Sequence, residues 1–158
     1  QTSYPVAIKL PGGPMISDGS RVTKDFGRLN RYEVAQTGEK IAIIGLGTFF
    51  ELAKEAAKLL KEEAGINATV INPYYITGLD EALLTKLKQN HDTVITLEDG
   101  ILDGGYSEKI ARFYGASNMK VMNYGLKKEF LDRYDVDAVL KENHLTAEKI
   151  VEDVLSIS

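Results

Sequence analysis

Four short strand-like runs, at residues 41–44, 68–71, 93–97 and 120–123, follow one another with helical patterns in between. Strands that alternate with helices of about 10–15 residues have to be brought back to the same edge each time, which builds a mostly parallel sheet covered on both faces. The expected fold is therefore α/β, a three-layer α/β/α domain. The first helix is the most explicit. Phe49, Leu52, Ala53, Ala56, Leu59 and Leu60 recur at helical spacing, while Glu51, Lys54, Glu55, Lys58, Lys61 and Glu62 form the wet face. Thr48 and Glu51 have the spacing of a capping box, and Gly65 stands where a left-handed residue ends a helix. Further on, Asp80 opens a short helix through Leu84 and Leu87. A glycine-rich loop, EDGILDGG, precedes a helix over 107–114 closed by Gly115. In the tail Asp137 and Thr146 are cap candidates, and Ile150, Val151, Val154 and Leu155 give the last helix an apolar stripe.

The first 30 residues do not share this rhythm. A strand-like run at residues 6–10 leads into Pro11-Gly12-Gly13-Pro14 and a polar, aperiodic stretch, and regular patterning begins at Arg31 with a polar strand candidate over 31–36. A lone strand beside a linker reads as the end of a preceding domain. The chain is thus expected to be a piece of a longer protein, with residues 1–30 as domain end plus linker and 31–158 as the domain proper. At 158 residues and 44% hydrophobic, one core is the expected number. The net charge of -4 argues against a nucleic-acid footprint. The absence of cysteine removes disulfides, thiolate nucleophiles and cysteine zinc sites. No apolar run approaches the roughly 20 residues of a membrane span. A cytoplasmic protein that binds neither membrane nor nucleic acid is expected.

The sequence IAIIGLGTFF at 41–50 raises a dinucleotide site, because G-x-G follows a strand and opens a helix. The third glycine position, however, is Phe50, and Asn72-Pro73 occupies the strand end where a ribose-binding acid belongs. The glycines are better explained by packing, although a helix N-terminus still attracts anions. Glu98 and Asp99, beside Gly100, Gly104 and Gly105, stand at the carboxyl end of a strand, where open α/β sheets place a ligand crevice. They are candidates for an interface or crevice, or for capping the helix that follows; Thr48, Gly104 and Gly105 belong to the same candidate group. His91 and His144 have unrelated flanks and make no metal spacing. Arg21, Lys24, Arg28 and Arg31 are diluted by Asp18 and Asp25 and read as linker, and Tyr74-Tyr75 suits either loop packing or a partner surface. No catalytic or metal set is complete.

The succession EKIAIIGLGTFFELAKEAAKLL, ATVINPYYITGLDEALL, HDTVITLEDGILDGGYSEKIARF and VMNYGLKKEFL resembles the C-terminal domain of transketolase-like, thiamine-diphosphate-dependent enzymes. Within them the likeness is strongest to the 1-deoxy-D-xylulose 5-phosphate synthases, and it covers nearly the whole chain from about Val6. The resemblance implies a five-stranded sheet whose first strand, at 31–36, is antiparallel to the rest, and a residue 6–10 strand that closes a pyrimidine-binding domain. It implies a homodimeric parent that condenses pyruvate with glyceraldehyde 3-phosphate for isoprenoid precursors. Thiamine diphosphate and Mg²⁺ would be held by the two preceding domains, and this domain would support the dimer. The fragment alone would hold no cofactor and be inactive. Two departures stand out. Where the synthases continue R-Y-P-R-G, this chain has Lys9-Leu10-Pro11-Gly12-Gly13, which leaves Lys9 as the candidate substrate contact. Where they have a histidine-glycine pair after the residue resembled by Phe130, it has Asp132-Arg133-Tyr134. A split transketolase, a 2-oxo acid dehydrogenase beta subunit and a free-standing binding module are the alternatives.

Overall fold

The structure, a computed structural model, describes residues 5–8 and 27–157. Its elements in chain order are β1 (Glu33–Gln36), β2 (Lys40–Gly45), α1 (Phe49–Ala64), β3 (Thr69–Asn72), α2 (Glu81–Leu87), β4 (His91–Ile101), α3 (Tyr106–Tyr114), β5 (Lys120–Leu126), α4 (Val136–Glu142) and α5 (Ala147–Ser156). The five strands form one sheet in the order β1-β3-β2-β4-β5. β2, β3, β4 and β5 are parallel, whereas β1 lies antiparallel on the edge beside β3, with Glu33 opposite Asn72. This is the expected sheet, including the direction of its first strand.

Alternation along the strands makes the two covered faces. Ile41 and Ile43 of β2 join Val70, Ile95 and Leu97 against α1 and α5, where Ala53, Ala56, Leu60, Ile150, Val151 and Val154 complete one core. Ala42 and Ile44 point the other way, and with Ile71 and Val94 they meet Leu84 and Leu87 of α2 and Tyr106, Ile110 and Tyr114 of α3. Each fully buried leucine or isoleucine contributes about 1.5–3 kcal/mol relative to exposure, so the domain's apolar interior, divided by the sheet into two layers rather than forming one undivided core, outweighs surface pairs in holding the fold. Gly65, at φ 67°, ends α1 in the left-handed conformation expected of it, and its N–H returns to Lys61 O. Asp80 caps α2 by accepting from Leu83 N, and Thr146 caps α5 by accepting from Lys149 N.

Several local expectations are corrected. Thr48 makes no cap hydrogen bond; its φ of -64° and ψ of -23° are already helical, so its hydroxyl is carried away from the amides of the first turn. β4 runs on to Ile101, so the first half of EDGILDGG is strand, with a bulge between Leu97 and Ile101 where it pairs with β5. Asp135, not Asp137, caps α4. Leu155 lies on the rim of the α5 stripe at 37% exposed, because the buried face is completed by Ile150, Val151 and Val154. β1 starts at Glu33 and β3 at Thr69, slightly later than the patterns suggest. Val6 and Ile8 are exposed and residues 5–8 belong to no strand; the rest of the 6–10 run, with Lys9, and the linker to residue 26 lie outside the described residues. Among the described residues no helix is long and apolar enough to cross a membrane.

Candidate functional site

The carboxyl ends of the parallel strands gather the residues singled out in the sequence. Gly45 ends β2, Glu98 and Asp99 lie in the last part of β4, and Gly104 and Gly105 lead into α3. The two acids have different tasks. Glu98 is 7% exposed, and its carboxylate is fully engaged: Oε1 accepts from Tyr106 N at 2.7 Å, and Oε2 accepts from Ser107 N at 3.0 Å and Ser107 Oγ at 2.8 Å. These amides open α3, which has no cap side chain of its own because Gly105 stands at its N-cap. A carboxylate from the neighbouring strand therefore takes the place of a cap, and its charge complements the positive end of the helix dipole. Gly105 makes room for it, since a Cβ there would lie 2.4 Å from Glu98 Oε2. Gly104, at φ 73°, supplies a turn that side chains rarely adopt.

Asp99 instead faces the β2–α1 turn. Thr48 Oγ donates to Asp99 Oδ2 at 3.1 Å, and a Cβ on Gly47, itself at φ 59°, would sit 3.0 Å from that oxygen. Thr48 thus ties the β2–α1 turn to the end of β4 rather than capping its own helix. The amides of Phe49 and Phe50 are taken by Leu46 O and Gly47 O, which uses donors an anion at this helix end would need.

Other groups are bound into the fold. Tyr106 OH donates to Tyr32 OH at 2.5 Å, and Tyr32 OH donates to Gly78 O, so α3, the residue before β1 and the β3–α2 loop are linked across the edge. Burial pushes the Tyr106 hydroxyl far above the ordinary tyrosine range and raises Tyr32 as well, which favours the neutral form of both. Tyr114 and Tyr124 are raised for the same reason. Asp80, besides capping α2, accepts from Arg31 at 2.9 Å and from Tyr32 N at 3.2 Å. Arg31 is thereby drawn out of the basic run into a pair that anchors the start of the domain. Neither the tyrosine pair nor the Arg31–Asp80 pair carries a sequence signal, since their partners are 74 and 49 residues apart.

The histidines sit apart from this edge. His144 pairs with Asp153 at 2.8 Å. His91 Nδ1–H donates to Leu87 O at 3.0 Å, and Nε2 accepts from Thr69 Oγ at 2.8 Å. Burial, opposed by the Leu87 bond, lowers the His91 pKa below the ordinary 6.5. The folded form therefore binds the proton less readily than the unfolded chain, so stability is full above pH 6.5 and declines as the pH falls from there toward the lowered value. Urea unfolding at pH 7.5 and 5.5 is expected to show this decline reduced in His91→Gln; an unchanged pH dependence would assign it to other groups.

The sequence model of the family described as transketolase, C-terminal domain, matches residues 30–150. The chain belongs to that family. This transketolase C-terminal domain is 33% identical over 150 residues to the 1-deoxy-D-xylulose-5-phosphate synthase of Symbiobacterium thermophilum, covering 94% of the chain and 23% of the relative. It is 30% identical over 153 residues to the synthase of Lysinibacillus sphaericus, covering 93% and 24%. The chain thus spans about a quarter of the length of these curated relatives. Among solved structures, one described as a split gene transketolase, inactive beta4 tetramer, matches with a TM-score of 0.72 and 27% identity, over 80% of this chain and 42% of that one. A Pichia stipitis transketolase shares the fold at a TM-score of 0.54 and 19% identity, over 80% and 17%.

The cofactor implied by the resemblance has no matching cradle in the described part of the transketolase C-terminal domain. Among the described residues no group of three or more His, Cys, Asp or Glu side chains is placed to hold a metal ion, and every buried side-chain nitrogen or oxygen has a partner. Glu98 and Asp99, the best-placed acids, are committed to α3 and Thr48. Engaged in this way, these acids do not fit Mg²⁺.

Proposed function

We propose that this chain is the C-terminal supporting domain of a cytoplasmic, homodimeric transferase that resembles 1-deoxy-D-xylulose-5-phosphate synthase and joins pyruvate to glyceraldehyde 3-phosphate. Thiamine diphosphate and Mg²⁺ belong, in this reading, to preceding domains of the parent, and residues 1–30 are the end of one of these plus the linker. The observation that carries the reading is the pairing of coverage: more than nine-tenths of the chain aligns with about a quarter of each synthase. The internal satisfaction of the acids and tyrosines at the carboxyl edge supports a role in structure rather than turnover. The test compares the isolated 158 residues with the protein read from its full coding sequence, both supplied with thiamine diphosphate, Mg²⁺, pyruvate and glyceraldehyde 3-phosphate. Product is expected from the full-length protein alone. Turnover by the isolated chain, or a full-length protein inert toward this pair, would overturn the proposal.

A second reading keeps the enzyme and divides it between two polypeptides. Its support is the likeness to a chain described as a split gene transketolase, inactive beta4 tetramer. An adjacent coding sequence for the cofactor-binding half, and activity only on mixing the two products, would select it.

A further inference from the structure

The amino edge of the sheet, opposite the candidate site, holds a directed chain of hydrogen bonds that the proposed function does not use. Gly38 N–H donates to Thr69 Oγ at 2.9 Å, Thr69 Oγ–H donates to His91 Nε2 at 2.8 Å, and His91 Nδ1–H donates to Leu87 O at 3.0 Å. Both ends of the chain are fixed, since an amide nitrogen only donates and a carbonyl oxygen only accepts. His91 is therefore the neutral Nδ1–H tautomer, and the direction of all three bonds is set. They join the β1–β2 turn, the first residue of β3, the first residue of β4 and the last residue of α2. The other bonds of this edge are pairwise: Glu39 N–H to Asn67 O, Lys40 N–H to Asn90 O, Asn67 Nδ2–H to Thr37 O and Gln36 Nε2–H to Ala68 O. None of these four reaches α2.

A proton on Nε2 does not fit this chain. The ring nitrogen would change from acceptor to donor and face a hydroxyl that already accepts from Gly38, while the hydrogen of that hydroxyl would lose its acceptor. The geometry points to an acid-released latch: protonation of His91 parts it from Thr69, frees the turn at Gly38 and lets β1 peel from β3 at the amino edge, with the carboxyl edge left closed. β1 is suited to this, because it is four residues long, lies on the edge of the sheet and has an irregular register between Val34 and Gln36. Its other end is held separately, by Arg31 and Tyr32 N on Asp80. Burial disfavours the proton and outweighs the Leu87 bond and the acids Asp92 and Glu39, which favour it, so the His91 pKa lies below the ordinary 6.5. The other charges of the packed elements stand off: Lys40 and Lys86 are exposed, Lys88 Nζ lies over the rings of Phe113 and Tyr114, and β3 carries no charged residue. Folded His91 holds its proton less readily than the unfolded chain, so the latch is closed at neutral pH and opens as the pH falls below 6.5 toward the lowered value.

The test is hydrogen exchange of the full-length protein, read residue by residue in mass spectra at pH 7.5 and 5 and expressed as protection relative to the unstructured rate at each pH. Gly38 N–H is expected to lose about tenfold in protection at the lower pH, the factor that corresponds to about one net hydrogen bond. Leu46 N–H and Leu102 N–H, which donate to Leu97 O and Leu126 O at the carboxyl edge, are expected to keep theirs. His91→Gln, whose amide can accept from Thr69 and donate to Leu87 without titrating, is expected to protect Gly38 equally at both pH values. Thr69→Val removes the hydroxyl and is expected to leave Gly38 poorly protected at both. Protection of Gly38 that is unchanged by pH, that falls equally at Leu46 and Leu102, that falls as far in His91→Gln, or that survives in Thr69→Val would overturn the latch. Exchange reads no turnover, so the latch and the proposed function are judged separately.

Discussion

Glu98→Ala is expected to destabilise the domain by about 3–5 kcal/mol, measured as the loss of unfolding free energy in urea. The truncation removes the acceptor for Tyr106 N, Ser107 N and Ser107 Oγ at once. A hydrogen bond to a charged group is worth about 1.5–3 kcal/mol, and each donor left buried without a partner costs about 1–3 kcal/mol. Partial rescue by water and incomplete additivity bring the sum down to the stated range. That is a large part of the roughly 5–15 kcal/mol by which a domain of this size is stable. Glu98→Gln keeps the shape and one oxygen acceptor but turns an amide N–H₂ toward a donor, so a smaller loss of about 1.5–3 kcal/mol is expected. A cost below about 1 kcal/mol for the alanine variant would show that α3 starts without this carboxylate and that the acid is free for another task.

The hydrogen bonds of Glu98 bear on how much of the site is legible in the sequence. The pattern of strands and helices was legible because it is local: periodicity at 41–60, Gly65 as stop, Asp80 and Thr146 as caps. The antiparallel direction of β1 came from resemblance, since a four-residue strand with one half-buried and three exposed residues has no pattern that fixes its neighbour. At the candidate site the acids were found by position, at a strand end beside glycines, and their partners could not be. Glu98 reaches a helix that begins eight residues later, and Asp99 reaches Thr48 across 51 residues. The T-x-x-E motif misled for the same reason. Thr48 has the right spacing for a cap, but the turn formed by Leu46 and Gly47 places it in helical conformation and gives its hydroxyl to Asp99. Spacing specifies what a side chain can reach along its own segment; tertiary contacts decide what it does reach.

Gly45→Ala is expected to cost about 3 kcal/mol, the upper end of what overpacking a filled interior imposes. An added Cβ would lie 2.7 Å from Phe49 O, 2.7 Å from Phe50 Cα and 2.8 Å from Ala53 Cβ. Two of these are backbone atoms of α1 and cannot turn aside, so the helix has to move off β2 and loosen the contacts of Ala53, Ala56 and Leu60 with the sheet. Gly65→Ala is the control, because its Cβ would meet nothing within 4 Å and only the left-handed φ of 67° is strained. About 1–2 kcal/mol is expected for that change. If the order of the two were reversed, the β2–α1 contact would be more yielding than its distances imply. In a dinucleotide fingerprint close packing of strand and helix falls to the third glycine. In this chain Phe50 occupies that position and adds its side chain to the core, while Gly45, the first glycine, allows the close approach. The G-x-G of IAIIGLGTFF thus serves the fit of a helix to a sheet: Gly45 admits α1, and Gly47 turns the chain beside Asp99.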